Sequence, residues 1–178
     1  MSRAAAERRY RELRALAYRD AEEALAGAGI AAELRAVDAA ALDAFAAGWT
    51  GHPTRRMAWP WPAMAEHWRR SFPERFELAV WWGGTLCALA LGKPSAGTSH
   101  LGAHFMEGSP DPAHPLKGRV IAVTLAALDS YAVLLGKAEL RLVEPLPALV
   151  PLYCGPLLGF ELVRPRGQAP YCRRSIAP

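Results

Sequence analysis

Cysteine is scarce in this sequence: Cys87, Cys154 and Cys172 stand at wide spacings with no CxxC pair. An odd number so placed fits neither a disulfide framework nor a zinc site, so reduced thiols and no metal are expected. Long hydrophobic runs are lacking too. The longest, around Val120 to Leu128, is broken by Asp129 and Ser130, well short of the roughly 20 residues a membrane span needs. No membrane partner is expected. The opening stretch MSRAAAERRYRELRALAYRD has no apolar segment ending in a small-residue cleavage site, so a cytoplasmic address is the expectation. Charge of one sign is also modest: 21 Lys and Arg against 17 Asp and Glu, a net +4. That excess helps hold an anionic ligand but falls short of a nucleic-acid surface, and the basic residues do not interleave with aromatics. Arg164, Arg166, Arg173 and Arg174 gather near the C-terminus as a solvated strand or tail, or as an anion or partner contact.

What is present is an ordinary globular composition: 178 residues, 52% hydrophobic and 21% charged. A chain of this size buries about 70% of the surface its unfolded form exposes, so it builds a core without staples. Residues 3–28 carry Tyr10, Leu13, Leu16, Ala17, Ala21, Ala24, Leu25 and Ala28 at helical steps, an amphipathic helix on a narrow stripe. Residues 1–30 are therefore expected to pack on or beside a domain spanning 31–178. Residues 33–37 suit a short strand, and Asp38 N-caps a helix to about Ala47. Pro62 opens a second helix to Ser71. FELAVWW at 76–82, Gly83-Gly84 and TLCALALG form a hairpin.

A strand over 99–106 precedes a Gly/Pro/Asp-rich loop, 107–115. A helix over 118–135 ends at Gly136. A strand over 138–143, a proline-opened helix over 147–158 and strands at 161–164 and 171–176 complete the order.

The run LKGRVIAVTLAALDSYAVLLGKAELRLVEPLPALVPLYCGPLLGFELV resembles the GNAT superfamily of coenzyme A-dependent acyltransferases. There a glycine-rich loop opens a helix, a strand follows, and a tyrosine-bearing helix runs into Gly-Phe. The resemblance implies an α/β (α+β) single domain with a strongly twisted mixed central sheet flanked by helices and splayed to admit a pantetheine arm, here with an extra N-terminal helix. It implies acetyl-coenzyme A or another acyl-coenzyme A as co-substrate and an amine acceptor, small molecule or protein.

The family's signature, Gln/Arg-x-x-Gly-x-Gly/Ala, anchors on Gly118, with Lys117, Arg119 and Val120 around the diphosphate. Such a loop works because a helix N-terminus offers unpaired N–H groups and partial positive charge. Pro115 and Val120 depart from the pattern at its first and last positions. The former has no N–H, and the latter is branched where Gly or Ala allows close approach. The family's tyrosine, which protonates the leaving thiolate, corresponds to Tyr153, although Gly155-Pro156 lengthen its spacing to Gly159. Glu144 follows the preceding strand, where many members place a polar contact.

Acyl transfer needs a neutral amine, hence a base. Glu107 is the first candidate, with Glu77, His100 and His104 as others. The strand's alternation puts His100, His104 and Met106 on one face, with Glu107 on the other, and the two histidines roughly 13 Å apart, too far for one metal ion. Trp59 and Trp61 are candidate walls for the acceptor, or simply packing. The departures leave a second expectation open: a non-catalytic protein of the same fold, a binding or interaction module that has lost coenzyme A. A homodimer is open as well.

Overall fold

The computed structural model describes residues 2–176. Helix α1 (Arg3–Gly27) begins where the Ser2 hydroxyl accepts from the Ala5 N–H at 3.2 Å. Strand β1 (Glu33–Arg35) leads to α2 (Ala39–Gly48), which Asp38 caps by accepting from the Ala41 N–H at 2.9 Å. After α3 (Trp61–Ser71) come β2 (Phe76–Trp82), β3 (Thr85–Pro94) and β4 (His100–Gly108). Then follow α4 (Val120–Leu134), β5 (Glu139–Val143), α5 (Val150–Tyr153), β6 (Glu161–Val163) and β7 (Tyr171–Ser175).

The seven strands lie in the order β1-β2-β3-β4-β5-β7-β6. Among the described residues the one parallel pair is β4 with β5; the other neighbours are antiparallel. One face of the sheet buries Phe76, Leu78, Leu101 and Leu140 against α1 and α4, with Tyr131 and Leu128 at 0% exposure. The other buries Leu89, Leu91 and Trp81 under α2 and α3, through Phe45, Trp61 and Trp68.

Helix α1 does not meet the sheet through its alanine stripe alone. Ala24 and Ala28 are exposed, whereas Arg14 is buried. Its guanidinium donates to the carbonyls of Pro73 and Arg75 at 3.1 and 3.0 Å and to Glu7 at 3.0 Å. Arg75 bridges Glu7 and Glu77, and Arg69 also pairs with Glu77. Glu77, a candidate base on sequence, is thus enclosed in an ion network that ties α1 to β2.

Two expectations change. The helix expected over 147–158 is one 3-10 turn, Pro147–Leu149, followed by the single turn of α5. Pro156 removes a donor and pushes Gly155 out of the helical basin, so the chain turns before Gly159-Phe160. The expected alternation along β4 is also broken. Leu91 pairs with Phe105 and Gly92 with Ala103, which leaves His104 as an extra residue, a β-bulge. The bulge exchanges the faces, so His104 joins Phe105 and Glu107 on the α3 side while Met106 packs toward α4. A Cβ at Gly92 would fall 2.5 Å from the Gly102 carbonyl oxygen, so this crossing requires glycine.

Candidate functional site

Strands β4 and β5 stay paired only from His100↔Glu139 to Ala103↔Leu142. Beyond the bulge they part, and an opening through the sheet is lined by Trp59, His104, Met106, Val143, Glu144 and Tyr153. On the α4 side it runs into a cavity of about 310 Å³ bounded by Gly118, Val120, Thr124, His114 and Tyr153. A larger one, about 510 Å³, extends along the 108–114 loop and Lys117. Met106 and Leu149 line all three, so they form one continuous site.

The floor of that site is a set of unused donors. The backbone N–H groups of Val120, Ile121 and Ala122 at the start of α4, and of Gly118 before it, find no acceptor among the described residues. No acidic residue occupies the first turn, and Arg119 makes no side-chain cap. Gly118 sits at φ +78°, a left-handed conformation that turns the loop into the helix. Buried Thr124 Oγ1 and His114 Nδ1 also lack partners. Burial, then Lys117, lowers the His114 pKa against the pull of Asp111, so its imidazole is neutral near pH 7. An anion with several oxygens suits such a floor, since orphaned buried polar atoms are costly until partnered.

The residues singled out on sequence divide. Lys117, Gly118 and Val120 line the site, and Arg119 is exposed and does not. Tyr153 is buried at the junction of opening and cavity, and no group among the described residues accepts from its hydroxyl. Burial pushes its phenol up to about 12, with a lesser contribution from Cys172. Trp59 lies half-buried on the opening with its ring against Phe105. Trp61 is no acceptor wall: it is fully buried, and its indole N–H donates to Glu107 at 2.5 Å.

Glu107 also accepts from Arg55 Nε at 2.7 Å and Nη2 at 3.1 Å. With three donors on one buried carboxylate, its oxygens are engaged in anchoring the 49–60 loop to β4. The free carboxylate at the opening is Glu144, exposed at φ +49° just beyond β5. The bulge that re-aims β4 had no sequence signal beyond Gly92 and Gly102 themselves. Among the described residues there is no cluster of three or more potential metal ligands, and no helix is long and apolar enough to cross a membrane.

Solved structures share this architecture. Ard1 from Thermoplasma volcanium superposes with a TM-score of 0.60 at 13% identity, over 84% of this chain and 100% of its own. A GNAT superfamily phosphinothricin acetyltransferase from Sinorhizobium meliloti in complex with AcCoA gives 0.54 at 16% identity, over 82% and 88%. The PaiA N-acetyltransferase from Thermoplasma acidophilum in complex with coenzyme A gives 0.52 at 16%, over 81% and 98%. No family model and no curated protein matches the sequence. The chain has the GNAT fold, with α1 added before it.

Proposed function

We propose that the protein transfers an acyl group from an acyl-coenzyme A thioester to an amine. The observation that carries this reading is the parting of β4 from β5 over a cavity that joins unpartnered backbone donors at α4 to the unpartnered hydroxyl of Tyr153. An acyl-coenzyme A supplies both an activated carbonyl and a diphosphate. The N–H groups of Gly118, Val120, Ile121 and Ala122 would hold the diphosphate, with Lys117 adding charge beside them. Val120 is compatible with this role because backbone N–H groups do the binding there and its side chain faces Gly108.

In the transfer the acyl C–S bond breaks and a C–N bond forms, while the proton released by the amine ends on the thiol. Tyr153, which lines both the opening and the cavity, would donate to the sulfur. A phenol near 12 keeps its proton throughout the working pH range, so it stabilises the developing thiolate by hydrogen bonding rather than by full proton loss. Glu144, the free carboxylate at the opening, takes the amine's proton directly or through water and passes it through water to the departing thiolate, which leaves as the thiol. Glu107 positions the Trp59 loop through Arg55, whose Nη2 donates to the Trp59 carbonyl at 2.9 Å.

A second reading, a non-catalytic protein of the same fold, is favoured by Pro115, which replaces the donor of the family's loop. Calorimetric titration with acetyl-coenzyme A and with a long-chain acyl derivative decides between them. Micromolar binding that weakens about tenfold in Lys117→Glu supports the enzyme. No heat at millimolar ligand supports the module and directs the search to a protein partner.

A further inference from the structure

On the face of the sheet opposite α4, the opening leads into another basin. His104 and Val143 line both, so a molecule in the basin reaches the space beside Tyr153 without crossing the cavity at α4. The basin encloses about 350 Å³, and among the described residues no acidic side chain lines it. Its walls are cationic and donor-bearing: Lys93, Arg141, His100, His104, Gln168 and Tyr171.

The cations are held in place by aromatic rings. The Lys93 ammonium stands 4.2 Å from the centre of the Phe72 ring and has no carboxylate partner among the described residues. The Arg141 guanidinium lies 4.5 Å over Tyr171 and gives its Nε to Glu139 at 3.1 Å. Glu139, behind the wall and shared with Arg173 at 3.7 Å, offsets one positive charge and leaves Lys93 uncompensated. The field shows in the histidines. His104 is pushed down to about 4 by burial, then by Lys93 and His100. His100 is lowered by burial and Arg141, against the opposite pull of Glu139. Such a basin is electrostatically incomplete until an anion enters it.

We infer that this basin receives the acceptor, and that the acceptor is an amine carrying a carboxylate, held by Lys93 and Arg141 while its nitrogen points past His104 into the opening. The inference rests on the acyl-transfer reading for the word acceptor, but the anion site stands on its own residues. A planar carboxylate matches the remaining N–H groups of Arg141 and the point charge of Lys93 together.

Two measurements test it. In the first, the imidazole nitrogens of His100 and His104 are followed by NMR while N-acetylglycine, N-methylacetamide or inorganic phosphate is added to the full chain. N-acetylglycine is expected to give saturable shifts that weaken at least about tenfold in Lys93→Met and return in Lys93→Arg. N-methylacetamide, which lacks only the carboxylate, is expected to give none. Equal response to both, no saturation with N-acetylglycine, or saturation with phosphate alone overturns the assignment.

In the second, thiol release from acetyl-coenzyme A is measured with amino acids and their decarboxylated counterparts. A kcat/KM ratio of about ten or more in favour of the amino acid, collapsing in Lys93→Met, supports the inference; a ratio of one overturns it. Should acetyl-coenzyme A fail to bind in calorimetry while N-acetylglycine still shifts the histidines, the acyl-transfer reading fails and the anion site survives.

Discussion

Tyr153 and His104 face the same opening, burial favours the neutral form of both, and each makes a prediction. Replacing Tyr153 with Phe removes one hydroxyl from a site where nothing else in the protein touches it. Acyl-coenzyme A affinity is therefore expected to stay within about threefold while kcat falls roughly 100-fold, read from single-turnover and titration data together. His104 bears on stability. Its folded pKa of about 4 lies below the ordinary value of 6.5, so between those values the unfolded chain binds the proton and the native one resists it. Stability is thus complete above about pH 6.5 and declines as the pH falls toward 4, by an amount on the order of 2 kcal/mol. Urea midpoints measured across that window are expected to show the decline in the wild type and to lose most of it in His104→Gln.

At the scale of elements, α5 is the weakest piece and the most consequential. It is one helical turn, flanked by proline and followed by Gly155-Pro156, yet it carries Tyr153. Its neighbour Cys154 is exposed, and its sulfur lies 4.0 Å from that of Cys172 in β7. Cys172 is pushed up to about 11 by burial and by Cys154, so the exposed thiol reacts first and the buried one closes the bond. Diamide, which takes up the two hydrogens released, is expected to link them. Mass spectrometry of the tryptic peptides reads the crosslink, which should be absent in Cys172→Ser, and the oxidised protein should show an altered kcat because the bond moves the turn that bears Tyr153. Helix α1 is the opposite case. Buried Arg14, bonded to two carbonyls and to Glu7, fastens it to the chain before β2, and removing one partner of such a buried network typically costs about 3–5 kcal/mol.

For the whole molecule, the arrangement places one basin on each face of the sheet and one passage between them. A ligand bound at α4 bridges the 108–119 loop, α4 and α5, so it is expected to stabilise the fold as a unit. Acetyl-coenzyme A at 100 times its Kd should add about 2.7 kcal/mol, a rise in melting temperature of roughly 5–11 °C by scanning fluorimetry. No rise at saturating ligand would count against the acyl-transfer reading. The N-acetylglycine response on the other face is expected without acetyl-coenzyme A present, since Lys93 and Arg141 line the basin opposite the donors at α4.

Periodicity and turn chemistry are local, and whatever depends on them was legible in the residues. The amphipathic run of α1, the Asp38 cap, the Gly83-Gly84 hairpin and the order of strands and helices follow from neighbouring side chains alone; Lys117, Gly118 and Tyr153 were singled out by the resemblance, and the fold sets them along neighbouring cavities. What depends on side chains meeting across the sheet was not legible. Arg14 is not among the apolar residues that mark α1, and only the fold surrounds it with Pro73, Arg75 and Glu7. Trp61 read as acceptor wall or packing, and Glu107 as the first of several candidate bases, and only the fold shows that they and Arg55 satisfy one another. The two-residue alternation of β4 misassigned Met106 and Glu107, because one inserted residue at His104 reverses every face after it. A hydrogen-bond partner or a register is a relation between distant segments, and only the folded chain brings those segments within reach.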